Sequence, residues 1–83
     1  MDTTSRRSLA MLKAVAAGRA QLTCSREPDL FVDGVPCCDQ FTAHALSHHG
    51  LIRPGRPGLI GQRVPAVLTD AGRELVAKQP VAA

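Results

Sequence analysis

Glycine and proline punctuate residues 39–74 so closely that this stretch has few ways to fold. It reads DQFTAHALSHHGLIRPGRPGLIGQRVPAVLTDAGRE. Asp39 suits a helix N-cap, because its carboxylate can accept a bond from an unpaired N–H of the first turn. Gly50 suits the position just past a helix end, where the backbone turns left-handed. Between them the spacing predicts a short helix of about three turns. Leu51-Ile52 and Val64-Pro65-Ala66-Val67-Leu68 predict two short strands flanking a loop over 53–63. Thr69 or Asp70 then restarts a helix, with Glu74 in its early turns.

Upstream, Leu9, Leu12, Val15 and Ala16 recur at helical spacing from Thr4 or Ser5, and Gly18 ends that helix. Arg6, Arg7 and Lys13 fall largely off its apolar stripe. Residues 20–24 (AQLTC) read as a short strand, and Pro28 discourages helix in the polar segment after it. Residues 30–37 (LFVDGVPC) look like a hairpin, since Asp33-Gly34 between apolar runs suits a type I′ turn. Pro36 is then confined to an edge or a strand end. Downstream, Ala71, Leu75 and Val76 form a stripe on a helix running to about residue 79 and stopped by Pro80. The expected fold class is α+β, one domain over 1–83 with three helices, and with frayed ends at 1–4 and 80–83.

The order helix, strand, loop, strand, helix resembles the C-terminal part of a winged helix-turn-helix domain of bacterial or phage type. The matching residues are His49-Gly50-Leu51-Ile52 and Val67-Leu68-Thr69-Asp70-Ala71-Gly72-Arg73-Glu74-Leu75, a "GLI … LTxxGxxL" pattern within residues 39–74. In that family the helix before GLI is the recognition helix and the loop after it is the wing. The resemblance therefore implies DNA binding and a role in transcription regulation, with a terminal helix that in many members pairs with its copy. A complete domain of this type also has a helix between the first and the recognition helix. Residues 19–38 carry extended and turn chemistry instead, so either a second β-hairpin replaces that helix or a short turn lies within 26–31.

The net charge is +3, from eight arginines, two lysines and seven acids. No acid stands between Asp39 and Asp70, where Arg53, Arg56, Arg63 and three histidines lie. A one-signed half of a small domain favours an anionic partner. On the central helix Phe41, Ala45 and Leu46 are the expected buried members. Gln40, Thr42, Ala43, His44 and Ser47 are expected to face out, where small polar side chains bond base edges or phosphates. No arginine or lysine stands on this helix.

The loop repeats Arg53-Pro54-Gly55 as Arg56-Pro57-Gly58. Proline limits the entropy lost on ordering, and guanidinium groups on such a wing can grip phosphates or enter a minor groove. Leu59-Ile60 at the tip is a pair of aliphatics expected to bury against a partner. Two function classes follow. The first is a small double-stranded-DNA-binding protein with Arg53, Arg56 and Arg63 on phosphates and the central helix in the groove. The alternative is a protein–protein interaction module that docks a host protein or a second copy through the wing and the short helices.

His44 and His48 share a helix face at a spacing that two zinc ligands can use, with Cys37 and Cys38 just upstream and Cys24 across a strand pair. There is no CxxC, and Cys-Cys before H-x3-H is not a finger spacing, so no metal or cofactor is expected. A Cys–His nucleophile pair would need an oxyanion site and an enclosed pocket, and no phosphate-binding glycine loop exists. No enzyme activity is expected. Three cysteines make no even disulfide framework. No apolar run approaches the roughly 18 residues of a membrane span. Arg6-Arg7 before LAMLKAVAAG imitates a signal peptide, but Lys13 and Gly18-Arg19 interrupt the run, so a cytoplasmic protein is expected. Phe31 and Phe41 are the only aromatics, so the core is thin and a second copy would help to complete it.

Overall fold

Ser5 opens the first helix: its hydroxyl accepts the Ser8 N–H at 3.1 Å, satisfying a donor the first turn cannot pair internally. The computed structural model describes residues 5–78, and in them helix α1 runs Arg6–Ala16. Strands β1 (Ala20–Thr23), β2 (Leu30–Val32) and β3 (Val35–Pro36) follow, then α2 (Gln40–His48), β4 (Ile52–Pro54), β5 (Arg63–Leu68) and α3 (Asp70–Lys78). Three helices and a five-stranded antiparallel sheet thus bear out the expected α+β class. The expected frayed ends, and the stop at Pro80, lie outside the described residues.

The sheet order is β3-β2-β1-β5-β4. Residues 30–36 take the hairpin rather than a short helical turn. Asp33 and Gly34 both have positive φ, 54° and 81°, as a type I′ turn requires. An Arg19–Asp33 ion pair at 2.8 Å and an Asp33 N–H bond to Arg19 O at 2.9 Å brace that turn.

Side chains alternate along each strand, so one face of the sheet is buried and one is open. Leu22 of β1 lies between Leu30 of β2 and Val64 of β5, and all three are fully buried. Leu12 of α1, Leu46 of α2 and Ile52 of β4 complete the fully buried set of large aliphatics. Each such side chain contributes about 1.5–3 kcal/mol by leaving water. Helix α1 packs on β1 and β5 and also touches both other helices, so it is the common partner of the layer. The opposite face carries Phe31, Gln21 and Pro65 in one cross-strand row, with Arg53 opposite Val67.

The two helices around the hairpin are tied end to start. Gly50 (φ 70°) donates its N–H to Ser47 O, and Leu51 N–H reaches Leu46 O, both at 3.0 Å, which closes α2 with a Schellman motif. Thr69 donates its N–H to Leu51 O at 3.0 Å and its hydroxyl to Gly50 O at 2.5 Å, and accepts the Gly72 N–H at 3.1 Å. One threonine therefore caps α3 and clasps the exit of α2. Gly72 passes so close to Leu51 O that a Cβ there would overlap the carbonyl. Gly72→Ala should therefore destabilise the fold by about 1–3 kcal/mol through forced separation of α3 from Leu51. Thermal unfolding followed by circular dichroism reads that loss as a lowered Tm.

Candidate nucleic-acid interface

Asp39 fixes the rotational phase of α2. Its carboxylate accepts the Thr42 N–H at 3.0 Å, the Thr42 hydroxyl at 2.5 Å and Arg7 Nη1 of α1 at 2.8 Å. That turns the stripe of residues 39, 42, 43 and 46 toward α1 and the sheet. Thr42 is 4 % exposed, while Ala43 and Leu46 are 0 % exposed. Phe41 instead stands on the outer face at 76 % exposure. The expectation that Phe41 packs inside while Thr42 and Ala43 face a groove is therefore corrected. Thr42 and Ala43 are small enough for close helix packing, and the capped aspartate holds them inward.

Gln40 is corrected as well. Its Oε1 accepts the Leu30 N–H at 2.9 Å, and its Nε2 donates to Leu30 O at 3.0 Å and to Cys37 O at 2.7 Å. Both polar atoms of the amide are engaged on backbone, so Gln40 clamps α2 to β2 and the end of the hairpin and does not face out as expected. His44 and His48 stay on the outer face and Ser47 is half-buried, while Ala45, expected inside, is only half-buried and lines the same outer face as Phe41. His44 Nε2 bonds Asp29 Oδ1 at 3.1 Å, and its Nδ1 lies 3.9 Å from Glu27 Oε2. Glu27, Phe41, His44, Ala45, His48 and His49 line an open depression of about 630 Å3. Glu27 and Asp29 beside α2 are the feature that sequence reasoning missed. They arrive through a loop closed by Thr23, whose hydroxyl accepts the Asp29 N–H at 2.9 Å.

The β4–β5 hairpin carries the three arginines, with the first strand starting one residue later than expected and the second one residue earlier, so that Arg53 and Arg63 stand on strands and not in the loop. Arg53 lies on β4, Arg56 in the loop and Arg63 at the start of β5, and all three are exposed. Arg7, Arg19 and Arg73 are paired with Asp39, Asp33 and Asp70. Among the described residues, Arg53, Arg56 and Arg63 have no carboxylate partner. The Arg63 guanidinium lies 4.6 Å from the centre of the Phe31 ring, which holds it over the open sheet face.

At the hairpin tip, Gln62 N–H bonds Leu59 O and Gln62 Oε1 accepts Leu59 N–H, both at 2.9 Å. Gly61 has φ 84°, as the third residue of a type II turn requires. The tip is also tied to the residue just past β1: Cys24 donates its N–H to Gln62 O at 2.9 Å and its carbonyl accepts the Gly61 N–H at 3.0 Å. Leu59 and Ile60 project from this turn at 79 % and 95 % exposure, in accord with their expected place on the surface.

Cys24, Cys37 and Cys38 are free thiols. Among the described residues, no three His, Cys, Asp or Glu side chains come together as a metal site. Nor is any described helix long and apolar enough to cross a membrane.

The Thr42 hydroxyl, Arg7 and the Thr42 N–H together hold the Asp39 carboxyl at about 2, below its ordinary 3.8. The folded form therefore gains stability from ionised Asp39 above pH 3.8, and that gain disappears as pH falls through about 2. Asp39→Asn should lower Tm at neutral pH and flatten the loss of stability across that acid window. Parallel melts of both proteins from pH 5 to pH 2 check the difference.

Comparison with known proteins finds no family model, no curated protein and no solved structure that matches this chain.

Proposed function

We propose that the protein binds double-stranded DNA as a small winged-helix-like domain, with the β4–β5 hairpin as its wing and principal contact. The observation that carries this reading is the unpaired charge of that hairpin. Exposed Arg53, Arg56 and Arg63 lack acidic partners among the described residues. Arg6, Lys13, Arg26 and Lys78 are unpaired there as well, but only the hairpin gathers three arginines in a segment without an acid, and Arg7, Arg19 and Arg73 are each neutralised by an aspartate. Unpaired guanidinium groups on one exposed element attract phosphate and release its counterions. Such binding suits a transcription regulator of bacterial or phage type.

Helix α2 has a smaller part in this arrangement than a recognition helix usually has. Gln40, Thr42 and Ala43 are engaged or buried, and Glu27 and Asp29 would repel a phosphate brought against His44. What α2 can offer a groove is Ser47, His48 and the exposed edge of His44.

Fluorescence anisotropy with labelled random duplex across a salt series tests the wing. Affinity should fall as salt rises, and Arg53→Ala/Arg56→Ala/Arg63→Ala together should reduce the slope of log K against log salt by up to about three. An unchanged slope in the triple variant would remove the hairpin from the contact.

A protein-docking reading retains one specific observation in its favour, the 76 % exposed Phe41 in its depression beside α2. Phe41→Ala separates the two. It should leave DNA affinity within about twofold, because a ring at a docking site on another face makes no phosphate contact. A larger loss would bring the outer face of α2 into the DNA interface.

A further inference from the structure

The hairpin tip combines features that a solvated loop does not need. Leu59 and Ile60 are largely exposed, yet the turn that carries them is closed by its own hydrogen bonds and anchored to Cys24, just past β1. Gly58 packs at its base, where an added Cβ would crowd the Gln62 side chain, Cys24 Sγ and Val64. The aliphatic pair is therefore held out on a preorganised support, so little further ordering is needed when it meets a partner.

Its charge setting identifies the kind of partner. Arg56 precedes the tip and Arg63 follows it, and residues 40–69 contain no acid. Cations around an apolar point suit a slot with anionic rims and an apolar interior. Duplex DNA offers such a slot at a deformable step of the minor groove. Phosphates line the groove, its floor carries polar base edges, apolar base faces open where a step partly unstacks, and the width of about 6 Å admits a narrow turn but not a helix.

We propose that Leu59 and Ile60 form a wedge that enters the minor groove and partly unstacks a base step, with Arg56 and Arg63 on the flanking phosphates. This inference rests on the DNA-binding reading and adds a consequence to it: the bound duplex is kinked. Flexible pyrimidine–purine steps such as TA are the preferred sites, because they unstack most easily. The wedge gains affinity by burying aliphatic surface and loses part of that gain to unstacking.

The test uses the whole chain and a short duplex with 2-aminopurine at a central TA step and a donor–acceptor dye pair at its ends. The protein contains no tryptophan or tyrosine, so it adds little emission of its own. Binding should raise 2-aminopurine emission and shorten the end-to-end distance. Leu59→Ser/Ile60→Ser should bind about tenfold more weakly, lose both signals and keep the salt slope, since the wedge contributes apolar burial and the arginines contribute charge. Both side chains are exposed, so the double variant should keep the wild-type circular dichroism and Tm.

Wild-type binding with no rise in emission and no shortening overturns the wedge and leaves the DNA reading standing. Absence of wild-type binding at low salt overturns both. A double variant that binds DNA as the wild type does, but changes from dimer to monomer in light scattering, assigns the tip to a second copy and overturns the wedge.

Discussion

Asp39 and Gln40 join three parts of the chain, the first hairpin, α1 and α2, that short-range structure alone would leave loosely connected. Strand β2 has three residues and β3 has two, a hairpin too small to hold itself in water. Its ladder also runs into Pro36, which has no N–H to give. Gln40 supplies an amide in place of the missing backbone, pairing both polar groups of Leu30 and the carbonyl of Cys37. Next to it Asp39 holds α1 through Arg7 and starts α2 through Thr42. Because these bonds are made by consecutive residues, the hairpin, α1 and α2 are fixed relative to one another at one point. Leu30 is thereby set into the core opposite Leu22.

That junction also explains what could be read from the chain and what could not. Ser5, Asp39, Gly50 and Asp33-Gly34 act through neighbours a few residues away, so their roles as caps and turn follow from local chemistry. Strands β4 and β5 and the loop between them were legible for the same reason, since proline and glycine punctuate them, although β4 begins at Ile52 and runs on to Pro54. The phase of α2 was not. Residues 41, 45 and 48 and residues 39, 42, 43 and 46 both have helical spacing, and a large aromatic looks like the better core residue. The choice is made by Arg7, thirty-two positions away from Asp39 in the chain, and by close packing that favours Thr42 and Ala43. In the candidate site, the exposed arginines were legible because an acid-free segment cannot neutralise itself locally. The acids beside His44 were not, because the loop that brings Glu27 and Asp29 there is positioned by tertiary folding.

The ion pairs have more effect on the surface field than on stability. Arg7–Asp39 apart, they are exposed, and exposed pairs contribute only about 0–1 kcal/mol each. Their effect is to leave the positive charge unevenly distributed. Asp33, Asp39 and Asp70 neutralise Arg19 just before β1, Arg7 of α1 and Arg73 of α3, while Glu27 and Asp29 lie beside α2. Among the described residues Arg6, Lys13, Arg26 and Lys78 stand unpaired singly elsewhere, and the β4–β5 hairpin gathers three unpaired arginines with no acid in its segment. A net charge of +3 would be weak if spread evenly, but concentrated on one projecting element it becomes a local attractor for an anion.

The same loop limits how such an anion can approach. Residue 24 bonds the hairpin tip, and residues 27 and 29 reach His44 on α2, so the β1–β2 connection lies between the two exposed elements. A duplex drawn to Arg53, Arg56 and Arg63 meets carboxylates if it tilts toward α2. It meets only the open sheet face, with Arg63 over Phe31, if it tilts the other way. Repulsion on one side and attraction on the other restrict the orientation without base-specific contacts from the helix. In the proposed complex the apolar tip would limit the depth of entry, because Leu59 and Ile60 leave water only when the turn reaches the bases of a groove. There charge would set the direction of approach, and burial of the tip the position at which it stops.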